Sequence, residues 1–132
     1  MTSKRFLSRV SLKLHDYTTE AAKVHEYLGL EPTKVWKKGD RVSERAINTQ
    51  ISSGSKFDFP IEENNVAITI ERNILPLASA LQELRRLDRS IYMEIGIVVY
   101  KRDGEGTPAV FFPADMLRVL ADVPIDLDID II

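Results

Sequence analysis

The segment from Ile91 to Tyr100 constrains the fold of this chain more than any other. Apolar side chains occupy every second position of it: Ile91, Met93, Ile95, Ile97 and Val99. Such alternation is the period of a β-strand, because successive side chains of a strand point to opposite faces of the sheet. The intervening positions include Gly96 and Val98, so the second face is also rather apolar. The pattern predicts a strand in the interior of a sheet.

Weaker patterns predict further strands. Alternation indicates a first strand from about Phe6 to Leu14 and a second over Ile47, Thr49 and Ile51. The turn residues at 103–106 favour a hairpin whose returning strand is Ala109 to Phe112. A last strand ends the sequence, and we expect its apolar side chains on a buried face: Ile125, Leu127, Ile129 and Ile131.

The helices are predicted from spacings of three and four residues. Ala21, Val24 and Leu28 share one helical face, with a threonine N-cap before them and Gly29 as the left-handed residue after them. A second helical spacing starts at Val66, although the β-branched residues there also allow a strand. Pro76 kinks this helix or begins another, and a short helix follows Pro113.

The order of these elements predicts the fold class. The segments Pro32 to Asp40 and Lys56 to Asn65 are expected to be loops, so the order is β-α-β-α-β-β-α-β. Helices interleaved with strands favour an α+β fold with a mixed, largely antiparallel sheet and helices packed on one face. We expect a ferredoxin-like arrangement, or a doubled one, in a single domain that spans the 132 residues.

Composition excludes several classes of function. The chain has no cysteine, which rules out disulfides, thiol catalysis and cysteine-bound metal clusters. Its formal net charge of -2 gives no general attraction to nucleic acids. No apolar run approaches the roughly 20 residues that a membrane-spanning helix needs, and the first residues do not resemble a secretory signal. We therefore expect a cytoplasmic protein that binds no membrane.

Three aspartates alternate in the last strand: Asp126, Asp128 and Asp130. Strand geometry places them on one face about 6.6 Å apart, too far for all three to bind one ion directly. Two of them with help from elsewhere could hold Mg²⁺ or Ca²⁺. The preferred interpretation is the solvated face of an edge strand, where repeated charge discourages aggregation. A third interpretation is a docking face for a basic protein.

A basic segment surrounds the single tryptophan, Trp36, which lies among Lys34, Lys37 and Lys38. Lysines beside an aromatic ring and a glycine could hold a phosphate or stack a nucleotide base. The segment lacks the glycine spacing of a phosphate-binding loop, so the motif is nonspecific. The preferred interpretation is that Trp36 anchors a long loop on the core while the lysines remain solvated.

Nucleophilic catalysis has little support in the sequence. His15 and His25 flank the first strand–helix turn, and no Gly-x-Ser-x-Gly motif supplies a nucleophile. His15 followed by Asp16 could be a base with an orienting carboxylate, but a polar turn at a strand end explains the pair more simply. His25 is interpreted as a helix-surface or edge residue. No catalytic residue, metal or cofactor is predicted.

Several segments together resemble a known bacterial family, domain of unknown function 4279. They are Val10-Ser11-Leu12-Lys13-Leu14, Tyr27-Leu28-Gly29-Leu30-Glu31-Pro32-Thr33, Trp36-Lys37-Lys38-Gly39-Asp40, and the ending from Leu120-Ala121-Asp122 to Leu127-Asp128-Ile129-Asp130. The similarity extends over nearly the whole chain. Members of the family carry a tryptophan in the strand after the Lys-Gly loop, and this chain has none there. The family has no established activity, so the resemblance implies a single domain and no chemistry.

These features leave three hypotheses for function. The first is a noncatalytic protein-binding module, an immunity-type protein that neutralises a basic toxin or another small intracellular partner through its aspartate strand. The second is a small-molecule or nucleotide-binding domain that uses the segment from Trp36 to Lys38. The third, an enzyme that uses His15, Asp16 and the aspartates, has the least support. The strand order and the oligomeric state stay open at this stage.

Overall fold

The computed structural model describes residues 7–42, 47–101 and 106–132. Within them the chain forms five strands: β1 (Arg9–His15), β2 (Lys34–Trp36), β3 (Gly54–Pro60), β4 (Tyr92–Val99) and β5 (Asp126–Ile131). It also forms four α-helices: α1 (Ala21–Leu28), α2 (Val66–Asn73), α3 (Ala78–Leu87) and α4 (Ala114–Asp122). A short 3₁₀ helix, Leu75–Leu77, joins α2 to α3.

The strands form one mixed sheet in the order β2-β3-β1-β4-β5. All neighbouring pairs are antiparallel except β4 and β5, which are parallel. The connection from β1 to β2 passes β3, and the connection from β3 to β4 passes β1. The predicted α+β class with a largely antiparallel mixed sheet is confirmed. The ferredoxin-like or doubled ferredoxin-like grouping stays a prediction.

The hydrophobic core lies between the sheet and the helices. In β1 and β4 every second side chain is buried, because these strands are interior to the sheet and one face of each meets the helices. Each helix contributes apolar residues to the same buried cluster: Val24 and Leu28 from α1, Val66, Ala67 and Ile70 from α2, Leu81 and Leu84 from α3, and Met116 and Leu120 from α4. The helices therefore pack on one face, as predicted.

Local sequence explains where the helices begin and end. Asn65 caps α2 by accepting a hydrogen bond from the backbone N–H of Ile68 at 3.1 Å, which favours the helical over the strand prediction for this segment. Pro76 lies in the 3₁₀ helix, and α3 follows it. Gly29 ends α1 with a φ of 68°, a left-handed conformation that glycine adopts without strain.

Three predicted elements are wrong. The expected strand over Ile47, Thr49 and Ile51 is absent from residues 47–51, where Ile47 and Ile51 are almost fully exposed. The expected loop from Lys56 to Asn65 contains most of β3, whose side chains alternate between buried Phe57 and charged neighbours. The expected loop from Pro32 to Asp40 contains β2. Pairing with neighbouring strands decides these cases, since short polar strands carry a weak local signal.

The predicted hairpin after β4 is also wrong. Ala109 makes only an isolated bridge to Asn65, and β4 instead lies between β1 and β5. The turn that suggested the hairpin includes residues 103–105, which lie outside the described residues. The chain returns to the sheet through α4 and adds β5 parallel to β4.

The last strand forms as predicted, but its apolar side is only partly buried. Ile125 is buried and Leu127 is half-buried, whereas Ile129 and Ile131 are 40% and 60% exposed. The expectation of a buried face over all four residues is therefore wrong. The reason is that β5 is an edge strand and the helices cover only its beginning.

Candidate functional site

In the part of the chain that the structure describes, one face of the sheet carries no helix, and we call it the open face. It consists of the strand residues whose side chains alternate with the core residues: Lys34 and Trp36 of β2, Gly54, Lys56, Asp58 and Pro60 of β3, Arg9, Ser11, Lys13 and His15 of β1, Tyr92, Glu94, Gly96 and Val98 of β4, and Asp126, Asp128 and Asp130 of β5. Most of these side chains are polar. The open face therefore places functional groups from all five strands side by side.

The acidic side of the open face lies on β4 and β5. Asp126, Asp128 and Asp130 are exposed on the edge strand, and Glu94 stands opposite Asp126 on β4. The hydroxyl of Tyr92 lies 2.9 Å from Asp126 Oδ2 and 3.2 Å from Glu94 Oε2, so its single hydrogen is shared between two carboxylates. Its hydrogen bond to Asp126, with burial and the charge of Glu94, raises the pKa of Tyr92.

The basic side of the open face lies on β2, β3 and β1. Lys34 stands opposite Lys56, which in turn stands opposite Lys13. Lys13 pairs with Glu94 at 3.5 Å, and Lys56 pairs with Asp58 at 3.5 Å. Three lysines in one row across three strands bring like charges together, an arrangement that costs free energy.

Trp36 also lies on the open face, in the same row as two aromatic rings of β1 and β4. Its partner across the strand pair is Gly54, and an added Cβ at Gly54 would overlap the indole ring. Beyond Gly54 in the same row lie His15 and Tyr92, whose ring centroids are 4.5 Å apart. Trp36 was interpreted as the anchor of a long loop on the core, but it lies in β2 and packs over Gly54 on the outer side of the sheet.

A cleft of about 620 Å³ lies where Trp36 meets the start of α1. Three of the four ligand-binding candidates line it, namely Trp36, Lys37 and Lys38, together with Ser53 and residues 17–22. Lys34 is not among the lining residues and lies on the open face. The structure therefore divides the predicted basic site into a cleft and a separate lysine.

A buried carboxylate that the sequence did not reveal organises the turn before α1. Asp88 is 3% exposed and accepts hydrogen bonds from the backbone N–H and hydroxyl groups of Thr18 and Thr19 and from the hydroxyl of Ser90. Burial alone would raise the pKa of Asp88, but these hydrogen bonds outweigh burial and lower the pKa to about 2. The predicted threonine N-cap is wrong, because both hydroxyls bind Asp88 and the N-cap residue is Glu20.

The structure also brings together a serine and a histidine that are distant from each other in the sequence. Ser55 Oγ lies 2.6 Å from His25 Nε2 and 2.8 Å from the hydroxyl of Tyr17. Ser55 is 0% exposed, so no substrate can reach its hydroxyl in this conformation. Burial lowers the pKa of His25, which therefore serves as a neutral hydrogen-bonding partner beneath the sheet.

The other predicted pair, His15 and Asp16, is formed at the end of β1. His15 Nδ1 lies 3.3 Å from Asp16 Oδ2, and the His15 ring contacts Tyr92. A hydrogen bond from Ser52 lowers the pKa of Asp16, with a further contribution from His15. Asp16 has a φ of 63°, the left-handed conformation of a tight turn that aspartate tolerates better than most residues. The polar-turn interpretation agrees with this geometry.

The described residues contain neither a cluster of metal ligands nor a membrane-spanning helix. Among residues 7–42, 47–101 and 106–132, no group of three histidine, aspartate or glutamate side chains is placed to hold a metal ion. Asp126, Asp128 and Asp130 follow one another along β5 and do not form such a group. In the same residues no helix is both long and apolar enough to cross a bilayer.

The fold and the surface together define the class of this protein. It is an α+β protein with a helix-covered core and an open, charged sheet face. Residues 6–132 match the family described as Domain of unknown function (DUF4279), and the chain belongs to that family. The resemblance seen in the sequence is thereby confirmed. No curated protein and no solved structure matches the chain.

Proposed function

We propose that this chain is a noncatalytic, cytoplasmic protein-binding module of the immunity type, which neutralises a basic protein partner such as a toxin. One observation carries the proposal. Asp126, Asp128 and Asp130 form a continuous exposed column on the open face, and none makes an ion pair with a described lysine or arginine. Asp126 accepts a hydrogen bond from Tyr92 but remains exposed, so the column presents negative charge that can meet a cationic surface.

The position of the column suits docking. It lies on an edge strand, where a partner can approach from the face and from the side. Exposed charge of one sign attracts an oppositely charged protein over distances near the Debye length, about 8 Å at physiological salt, and so raises the association rate. The burial of Ser55 supports the noncatalytic part of the proposal, because its hydroxyl, which is bonded to His25, is closed to substrate.

The test begins with a partner captured by the tagged protein from its native cytoplasm and then purified. Changing Asp126, Asp128 and Asp130 together to asparagine should leave folding intact, slow association with the partner, and weaken its dependence on salt. The matched control changes Glu26, Glu31 and Glu71 to glutamine. These residues are exposed, lie off the open face and change the net charge equally, so association should stay nearly unchanged.

The immunity role in this proposal is tested separately, by a growth assay. The captured partner should inhibit growth when it is expressed alone, and co-expression of this chain should restore growth. The triple asparagine variant should restore growth less well, at equal expression, than the chain with its native aspartates. A partner that is harmless alone would contradict the immunity role, and equal association by the triple variant and its control would remove the aspartate column from the docking surface.

A second candidate function is favoured by the cleft at Trp36. An aromatic ring and two lysines, Lys37 and Lys38, line a space of about 620 Å³, which is large enough for a small anionic or nucleotide ligand. Because Trp36 is the only tryptophan, its fluorescence reports ligand binding directly. A nucleotide that binds here should quench it, Lys37→Gln with Lys38→Gln should weaken the effect, and Lys34→Gln, outside the cleft, should not. No saturable change with nucleotides or inorganic phosphate would reject this candidate.

A further inference from the structure

The charge of the open face reverses across the sheet. The open-face residues of β2, β3 and β1 carry four cations, Lys34, Lys56, Arg9 and Lys13, and one carboxylate, Asp58. Those of β4 and β5 carry four carboxylates, Glu94, Asp126, Asp128 and Asp130, and no cation. The sign changes beside β1, which is the middle strand of the five.

The strand register aligns this reversal in a single row. Read across the sheet, the row is Lys34, Lys56, Lys13, Glu94 and Asp126. The central pair, Lys13 and Glu94, is satisfied within the chain at 3.5 Å. At the two ends, Lys34 and Asp126 have no ion pair to a described residue. The row is therefore positive at one edge, negative at the other and balanced near its centre.

A surface with this pattern is complementary to itself. A twofold axis parallel to β1, in the plane between two sheets that face each other, places β2 over β5 and β3 over β4. Lys34 then faces Asp126 of the second copy, and Lys56 faces Glu94 of the second copy. The twofold repeats both contacts. Lys13 lies near the axis, where its own Glu94 already balances its charge.

We infer that the open face binds a second copy of this chain, face to face, in a weak twofold dimer held by the row from Lys34 to Asp126. Five strands of about six residues give a face of roughly 20 Å by 20 Å, so a dimer would bury about 800 Å² in total, the size of a weak, transient interface. Exposed ion pairs contribute little each, so the dimer is reversible and salt-sensitive. The dimer does not depend on the proposed protein partner, but it covers the aspartate column, so a basic partner competes with it.

The test is a charge exchange between the two edges. Sedimentation of the wild-type chain at low ionic strength should show a concentration-dependent dimer that dissociates near 1 M salt, where the Debye length is about 3 Å. The variants Lys34→Glu and Asp126→Lys should each be monomeric alone. The twofold axis repeats the contact between positions 34 and 126, so each variant places two pairs of like charges in the interface. An equimolar mixture of the two should dimerise again. Both residues are exposed on edge strands, and circular dichroism checks that both variants fold.

Three outcomes would overturn the inference. The first is a wild-type chain that stays monomeric at high concentration and low salt. The second is a dimer that survives either single reversal, which would place the contact elsewhere, for example at the β5 edge. The third is a mixture of the two variants that stays monomeric although both fold. None of these outcomes bears on the growth assay with a toxic partner, so the dimer and the proposed function can fail separately.

Discussion

The indole ring of Trp36 lies against the backbone of Gly54, in the space that a side chain at Gly54 would occupy. The two residues are paired across β2 and β3, so the missing side chain of one makes room for the ring of the other. This contact holds the short edge strand β2 on the sheet and fixes one wall of the cleft that Lys37 and Lys38 also line.

Gly54→Ala should therefore displace Trp36. A methyl group forced into a packed contact costs about 1–3 kcal/mol, so we expect a loss of that size in the free energy of unfolding. The emission of the single tryptophan should shift to longer wavelength as the ring becomes exposed. The control is Gly96→Ala, where the atoms nearest to the new Cβ would be the flexible end of Lys13 at 3.2 Å. Unchanged tryptophan emission in Gly54→Ala would contradict the packing described.

Asp88 should stabilise the fold in a manner that depends on pH. Its folded pKa of about 2 lies below the ordinary aspartate value of 3.8, so the folded state favours the carboxylate. The stabilisation, about 2 kcal/mol, is present above pH 4 and is lost as pH falls from about 4 to 2. Asp88→Asn should thus be clearly less stable than wild type in urea at pH 6, and the difference should shrink near pH 2. A difference that is constant over this range would mean that the carboxylate charge is not what stabilises the turn.

His25 should contribute a second pH dependence. Burial lowers its pKa from 6.5, so the unfolded chain takes up a proton at a pH where the folded chain does not. Stability should fall as pH drops through about 6.5, because the unfolded state then binds more protons. His25→Gln can still bond Ser55 but cannot titrate, and it should flatten the unfolding free energy between about pH 5 and 7. Direct titration of the ring by NMR gives the pKa independently, and a value at or above 6.5 would refute the assignment.

Burial along the sheet predicts a gradient of mutational cost. Leu12 is fully buried in the middle strand, and Leu12→Ala should cost about 2–5 kcal/mol. Ile131 is 60% exposed on the edge strand, and Ile131→Ala should cost no more than about 0.5 kcal/mol. The half-buried Leu127 should fall between them. Equal losses for Leu12 and Ile131, measured by urea unfolding, would contradict the exposure of β5 and show that Ile131 is covered.

Long regular patterns made part of the fold predictable. The alternation from Ile91 to Val99 identified β4 because an interior strand needs apolar side chains on a face that meets the helices. The spacing from Ala21 to Leu28, with Gly29 after it, identified α1 for a similar reason. Where buried positions recur at regular intervals along one helix or strand, the same interval is visible in the sequence as a pattern of apolar residues.

Edge and contact-dependent elements were not predictable in the same way. β2 is three residues long and β3 alternates Phe57 with lysine and aspartate, so their strand character depends on pairing with each other and with β1. The exposure of Ile131 depends on how far the helices extend over β5, which no local pattern records. Periodicity gave the side of the strand on which Ile131 lies but not whether that side is covered.

The candidate functional sites likewise include features that the sequence predicts and features that depend on tertiary contacts. The sequence alone determined that Asp126, Asp128 and Asp130 share one face of a strand, because the period of two fixes this without reference to the rest of the chain. Only the tertiary structure decided that Lys34 and Asp126 end the same row of the sheet, and that Asp88 binds threonines 69 and 70 residues away. Contacts between residues distant in sequence arise from strand order and helix packing, which depend on the whole core and leave no mark at any one position.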